Sequence, residues 1–131
     1  MLNTCASTSN IYYFNCQNQT PSIIYSYFPQ AFINLDYQIK VQDTVNNYYE
    51  AIKRTKITNK KNGIEREYIL MQVSFNFKSN QSQIKQFFVK EINNKKKLKE
   101  LTKEQKEIYE KDVFSLQEKM LFYCNPQFKG R

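Results

Sequence analysis

Residues 64–77, IEREYILMQVSFNF, decide the fold, and we interpret them as the central strand of a small sheet. Side chains of a strand alternate between its two faces. Odd-numbered positions therefore share one face, which is apolar after its first two members, Glu65 and Glu67. Even-numbered positions, among them Arg66 and Tyr68, share the other face. We interpret the two glutamates as a solvated rim.

A turn and a second extended segment precede this strand. Residues 59–63, NKKNG, contain an Asn-Gly pair, which is a strong signal for a tight turn because both residues tolerate positive φ. Residues 48–57, YYEAIKRTKI, supply the extended segment. The sequence therefore predicts a long hairpin over residues 48–77.

The first third of the chain predicts two further strands and one short helical turn. Residues 10–16, NIYYFNC, have the composition of a short strand. Residues 22–28 follow a Thr-Pro pair, a favourable helix start, and Pro29 is expected to end the helix. Apolar and polar residues alternate over residues 32–41, so we predict a half-buried strand there.

The last third predicts a strand, a linker and a long helix. Residues 82–92 fit a helix face and also a strand face, and the FFV run favours a strand paired with the central one. Residues 93–99, NNKKKLK, have the composition of a basic linker. Thr102 and Gln105 match a capping box, so we expect a helix over residues 102–123, before an Asn-Pro pair.

This helix carries a narrow apolar seam with two possible roles. The seam follows a 4-3-4-3 spacing through Tyr109, Val113, Leu116, Met120 and Tyr123. It either covers the core face of the sheet or docks on a partner protein. A separate patch lies on another side of the helix and consists of Phe114, Leu121 and Phe122. We predict the seam as the partner interface.

No charged residue occurs before Asp36, although this stretch is rich in Tyr and Phe. Residues 1–9 are small and polar and are predicted to be a flexible N-terminus, with one small domain over residues 10–131. The remaining uncharged residues either enter the core or face a partner. We therefore expect the isolated chain to be poorly soluble or to self-associate.

The chain is basic, with 20 Lys and Arg against 12 Asp and Glu and a formal charge of +8. A basic surface favours an anionic partner such as nucleic acid, although Lys, which supplies most of the charge, is the weaker group for reading bases. The alternative is that the lysines keep sheet edges soluble. The candidate nucleic-acid contacts lie in two regions: Lys53, Arg54, Lys56, Lys60 and Lys61, then Lys95, Lys96, Lys97 and Lys99.

Catalytic and metal-binding signatures are lacking in the sequence. The chain has no histidine, no glycine-rich phosphate loop and no carboxylate pairing typical of acid–base catalysis. Cys5, Cys16 and Cys124 have no metal-ligand spacing and are interpreted as buried or incidental thiols, which favours a reducing, intracellular compartment. We therefore expect no enzyme activity, cofactor, metal or membrane partner, and a location in the nucleus rather than the cytoplasm.

The sequence resembles known families in two respects, one local and one in the order of its elements. Residues 101–112, LTKEQKEIYEKD, resemble the start of the third helix of HMG-box proteins, which we attribute to shared capping chemistry. Five strand candidates followed by a terminal helix are similar in element order to small OB-fold subunits of single-strand-binding and telomere-capping complexes. That resemblance implies a barrel whose terminal helix pairs with a partner subunit.

Together these patterns predict an α+β fold: a mainly antiparallel sheet of four or five strands, or a partly closed OB-like barrel, followed by one long C-terminal helix. The predicted core comprises Ile33, Leu35, Tyr37, Ile39, Ile69, Met71, Val73, Phe75, Phe88, Leu116 and Met120. The predicted function is a non-catalytic accessory subunit of a multiprotein complex that handles DNA or RNA, bound to larger subunits. The alternative is a purely structural subunit of another assembly, without nucleic-acid contact.

Overall fold

The computed structural model describes residues 9–16, 20–61, 63–79 and 81–124. The predicted flexible segment 1–9 lies almost wholly outside these residues, as does Cys5. Of the helix seam, the side chains of Met120 and Tyr123 are not described, and the same is true of Leu121 and Phe122.

The predicted hairpin is confirmed and forms the centre of the sheet. Strand β3 (Tyr48–Lys60) pairs antiparallel with strand β4 (Gly63–Ser74) along their whole length. Gly63 has a φ of +129°, and a Cβ there would overlap the side-chain oxygen of Asn93. Glycine is therefore required at this position for both backbone and spatial reasons.

Four more strands complete an antiparallel sheet. They are β1 (Ser9–Phe14), β2 (Gln38–Asp43), β5 (Ser82–Ile92) and β6 (Lys95–Lys99). The order is β1-β5-β4-β3-β2, and β6 also pairs with β5. β1 pairs with residues 82–87 of β5 and β6 with residues 88–92, so these two strands share one edge position.

The strand count and the closure differ from the sequence prediction. The sheet has six strands rather than four or five, and β2 at one edge does not pair with β1 or β6 at the other among the described residues. The sheet is therefore open, and the OB-like barrel is not formed. The sixth strand is the segment predicted as a basic linker: Asn93 and Asn94, both at positive φ, turn the chain back onto β5.

Two helices cover one face of this sheet. They are α1 (Pro21–Asn34) and α2 (Lys103–Cys124). The predicted capping box of α2 is confirmed: the Gln105 amide N–H donates to Thr102 Oγ1 at 3.1 Å, and the Thr102 N–H donates to Gln105 Oε1 at 3.0 Å. The apolar face of β4 packs beneath both helices, where Ile69, Met71 and Val73 are fully buried.

Helix α1 extends past the proline that was expected to end it. Pro29 lies inside α1, and residues 32–34, predicted to begin a strand, are helical. Phe28 and Phe32 lie one turn apart on the buried side, with ring centroids 5.0 Å apart. Because burial of both rings requires continuous helix, packing outweighs the hydrogen bond that Pro29 cannot donate. Ile33 is accordingly 52% exposed and not in the core as predicted.

The rest of the predicted core is largely confirmed. Seven of the predicted residues are buried in the main core cluster, and Leu35 and Ile39 are half-buried against it. The buried predicted residues are Tyr37, Ile69, Met71, Val73, Phe75, Phe88 and Leu116. The segment 82–92 is a strand, as favoured from its FFV run.

The described residues of the α2 seam pack on the protein's own core. Val113 and Leu116 are fully buried in the main core, and Tyr109 is partly buried against it. The packing thus assigns Val113 and Leu116 to the core rather than to a partner interface. Polar contacts fix the same helix in place, because Tyr37 donates to Asp112 at 2.9 Å and Tyr12 donates to Glu110 at 2.8 Å.

The interpretation of Glu65 and Glu67 as a solvated rim is wrong. Both residues are buried, on the helix side of β4. The Glu65 carboxylate forms ion pairs with Lys60 at 2.8 Å and with Lys90 at 3.3 Å, and Glu67 forms one with Lys99 at 3.3 Å. Three lysine side chains therefore supply the counter-charge that burial of the two carboxylates requires.

Two of the cysteines, which were interpreted as buried or incidental thiols, are buried and bonded to each other. Cys16, just after β1, forms a disulfide with Cys124, the last residue of α2, across a sequence separation of 108 residues. The bond ties an edge strand to the end of the long helix.

The disulfide should contribute much of the stability. Closing a loop of this length is worth roughly 5 kcal/mol, so replacement of Cys16 by Ser is expected to lower Tm by about 10 °C or more. Calorimetry of the oxidised chain measures this, with Cys5→Ser as the matched control. Equal melting temperatures for Cys16→Ser and Cys5→Ser would contradict the assignment.

The buried Glu65 ion pairs should make stability depend on acid pH. Contact with the Lys60 ammonium, and then with Lys90, lowers the pKa of the Glu65 carboxyl. A pKa that is lower in the folded than in the unfolded chain adds stability at neutral pH, which is lost as pH falls from about 4.3 through the folded value. Between about pH 5 and pH 3, which spans this loss, the Tm of the wild-type chain should therefore fall more than the Tm of Glu65→Gln. Parallel curves would show that the pairing contributes nothing.

Candidate functional site

The sheet face opposite the helices forms the candidate site. In the described part of the chain neither helix covers it, and we call it the open face. A second apolar cluster lies there, separate from the main core, with Ile52, Tyr68 and Val89 buried at its centre. Leu70 and Phe87 pack against this centre and are partly exposed.

Strand register arranges these side chains in rows across the sheet. One row reads Arg54, Tyr68, Val89 and Leu98 from β3 to β6. The next reads Gln38, Ile52, Leu70 and Phe87 from β2 to β5. The apolar members of the two rows form a continuous strip perpendicular to the strands. We call this strip the apolar band: Ile52, Tyr68, Leu70, Phe87, Val89 and Leu98.

Charged side chains surround part of the apolar band. These charged residues and the members of the band other than Phe87 line a groove of about 460 Å³. Two carboxylates, Glu50 and Glu91, lie in this groove. The cations outnumber them and are Lys40, Arg54, Arg66, Lys96 and Lys97. The groove therefore has a positive balance although acidic residues are present.

Tyr68 is the polar centre of the groove floor. Burial raises the pKa of its hydroxyl, the Glu91 carboxylate raises it further, and the Arg54 guanidinium partly offsets both effects. The phenol thus stays protonated at neutral pH and keeps its ability to donate a hydrogen bond. Arg54 also contacts Gln38 Oε1 at 3.4 Å, a long bond that leaves most of its donors available.

The structure divides the predicted nucleic-acid contacts into three groups. Arg54, Lys96 and Lys97 line the groove. A second group lies on the helix side in ion pairs: Lys53 with Asp112 at 3.1 Å, Lys60 with Glu65 and Lys99 with Glu67. The third group is exposed outside the groove and consists of Lys56, Lys61 and Lys95. The two predicted basic regions are therefore not two coherent patches.

Sequence reasoning missed Lys40 and Arg66 as groove residues. Arg66 could have been found, because the alternation in β4 places it on the face opposite Glu65 and beside Tyr68. Lys40 could not, because it lies at the β-bulge between Ile39 and Val41, where the strand alternation is interrupted.

The groove has the chemistry of a binding surface. It offers guanidinium and ammonium groups around apolar and aromatic side chains. Within the described ranges, no three His, Cys, Asp or Glu residues are grouped so that they could hold a metal ion. In the same ranges, neither α1 nor α2 is long and apolar enough to span a membrane.

Comparisons with known proteins give likenesses of fold. No protein-family model matches the chain, and no curated protein matches it. Among solved structures it is similar to a DUF4468 family protein from Bacteroides ovatus, at 11% identity and a TM-score of 0.42, covering 95% of this chain and 84% of that one. It is also similar to a TBP-like protein from Parabacteroides distasonis, at 10% identity and a TM-score of 0.40, covering 83% and 90% respectively. Likenesses at this level carry no argument about function.

Proposed function

We propose that this chain is a non-catalytic accessory subunit of a nucleic-acid-handling complex, and that its open face is the surface that contacts the nucleic acid. The observation that carries the proposal is the groove, where five cations surround the apolar band and two carboxylates oppose them. Phosphate oxygens would neutralise the excess cations, and counterions released on binding would add to the affinity.

The two arginines of the groove are central to this proposal. The chain has three arginines in all, and Arg54 and Arg66 lie in neighbouring rows of the open face. A guanidinium can bind phosphate through two parallel hydrogen bonds, whereas an ammonium acts as a point charge. Two of the three arginines therefore lie where anion binding would use their geometry.

The outer surface of α1 supports the proposed contact with larger protein subunits. Helix α1 contains no charged residue, and Ile23 and Tyr27, one turn apart on it, are exposed. Apolar side chains grouped on an uncharged helix surface are typical of a protein–protein contact. This surface replaces the α2 seam as the candidate partner interface, because Val113 and Leu116 of the seam are buried in the core.

A nuclear location belongs to the same proposal, and the disulfide counts against it. Disulfides are rare in the nucleus and cytosol, where thiols are kept reduced. The redox state of Cys16 and Cys124 in the native cell, trapped by rapid alkylation, tests the location separately from the binding function. A reduced pair would support the nucleus, and an oxidised pair would exclude it.

Neutralising the two groove arginines should weaken nucleic-acid binding. We expect Arg54→Gln/Arg66→Gln to reduce the affinity for a fluorescent single-stranded oligonucleotide. The slope of log K against log salt concentration should become shallower by roughly 1.4, about 0.7 for each lost phosphate contact. Anisotropy titrations at several salt concentrations measure both quantities. The matched control is Lys106→Gln/Lys111→Gln, which removes the same charge from exposed positions of α2 on the other side of the sheet.

The control distinguishes a local site from general charge. Equal losses in both double variants would show that net charge, not the groove, causes binding. Absence of oligonucleotide binding by the folded wild-type chain, verified by circular dichroism, would favour the purely structural subunit.

A further inference from the structure

The charges of the open face are distributed unevenly along the strands. The row beyond the apolar band, toward the β3–β4 turn, contains Arg66, Glu91 and Lys96, and Arg54 ends the nearest row of the band. On the opposite side of the band, the next row pairs Glu50 with Gln72 and Lys85. The cationic excess therefore lies on the side toward the β3–β4 turn.

We propose that the open face binds a single-stranded nucleic acid that runs across the strands, with its bases on the apolar band and its phosphates on the side of Arg54, Arg66 and Lys96. This inference rests on the proposed function and names its ligand. A single strand has an apolar, aromatic side and an anionic side. The open face presents the complementary arrangement, apolar surface along one strip and cations along one margin.

The width of the face favours a single strand over a duplex. Five strand positions separated by about 4.8 Å span roughly 19 Å, and the sheet has that many positions. The major groove of B-form DNA is about 12 Å wide and the minor groove about 6 Å. An unbent duplex would therefore meet the face through its backbone alone, and the apolar band would stay uncovered. Unstacked bases would cover it.

Phe87 is the aromatic side chain that a base would reach. Tyr68 is 6% exposed and serves as the floor, whereas Phe87 is partly exposed at the end of the band next to β1. On β1 the exposed side chains of Ile11 and Tyr13 extend the apolar surface on the same face. A base stacked on an aromatic ring contributes about fivefold to more than a hundredfold to affinity.

The test compares ligands and variants by anisotropy at one salt concentration. The ligands are a single-stranded oligonucleotide, its duplex and a polyglutamate peptide as an acidic polymer. We expect the wild-type chain to bind the single strand at least about tenfold more tightly than the duplex. Phe87→Leu keeps an apolar side chain but removes the ring. It should weaken binding of the single-stranded oligonucleotide severalfold without changing the slope of log K against log salt concentration. Phe114→Leu, at an exposed ring on α2, is the control and should have no effect.

The other possible results contradict either the single-strand inference alone or the proposed function as well. Duplex binding equal to or tighter than single-strand binding overturns the inference and leaves the proposed function intact. Unchanged single-strand affinity in Phe87→Leu also overturns it, because the bases then do not contact the ring. Binding of polyglutamate without binding of either nucleic acid overturns both the inference and the proposed function, and assigns the open face to an acidic protein.

Discussion

The structure depends on the attachment of both helices to the same face of the sheet. Helix α2 is held there by the Cys16–Cys124 disulfide, by the Tyr37–Asp112 hydrogen bond and by the ion pair between Lys53 and Asp112. Helix α1 is held by Phe28 and Phe32, which pack with Tyr49 and Phe75 in the same core. With both helices on one side, the described chain has no element left to cover the other.

This one-sided arrangement gives the two faces of β4 different environments. On the helix side, Ile69, Met71 and Val73 are enclosed by rings and aliphatic side chains. On the open face, Tyr68 is shielded by its sheet neighbours, and charged groups of Arg54, Glu50 and Glu91 lie near enough to act on its hydroxyl. Long charged side chains can cover apolar surface with their stems while their heads stay in water. Such a cover can be displaced by a ligand, which a packed helix cannot.

The elements that the sequence predicted well are those whose signal is local. The alternation in β4, the chain reversal between β3 and β4 and the capping box at Thr102 each act within a few residues, and each was predicted correctly. The errors arose where contacts distant in sequence override a local signal. Pro29 lies within a helix because the phenylalanines beside it pack against rings of the sheet, including Tyr49. Glu65 is buried because Lys90 of β5 pairs with its carboxylate in addition to the nearby Lys60.

The candidate site was predictable in part for the same reason. Lysine runs suggested two basic regions, but pairing on the helix side removes Lys53, Lys60 and Lys99 from the available charge. Strand register, which a single sequence does not contain, brings Arg54, Arg66 and Lys96 to one margin of the open face. Spacing alone could not separate structural lysines from exposed ones.

The central claim is that the two faces of the sheet have different tasks, one to hold the core and one to bind. Backbone amide NMR spectra of the oxidised chain, recorded during titration with a single-stranded oligonucleotide, test it most directly. The account predicts shifts confined to the neighbourhood of Arg54, Arg66, Tyr68 and Phe87, with the amides of α1 and α2 unchanged. Shifts concentrated on the helices, or spread evenly over every exposed lysine, would contradict it.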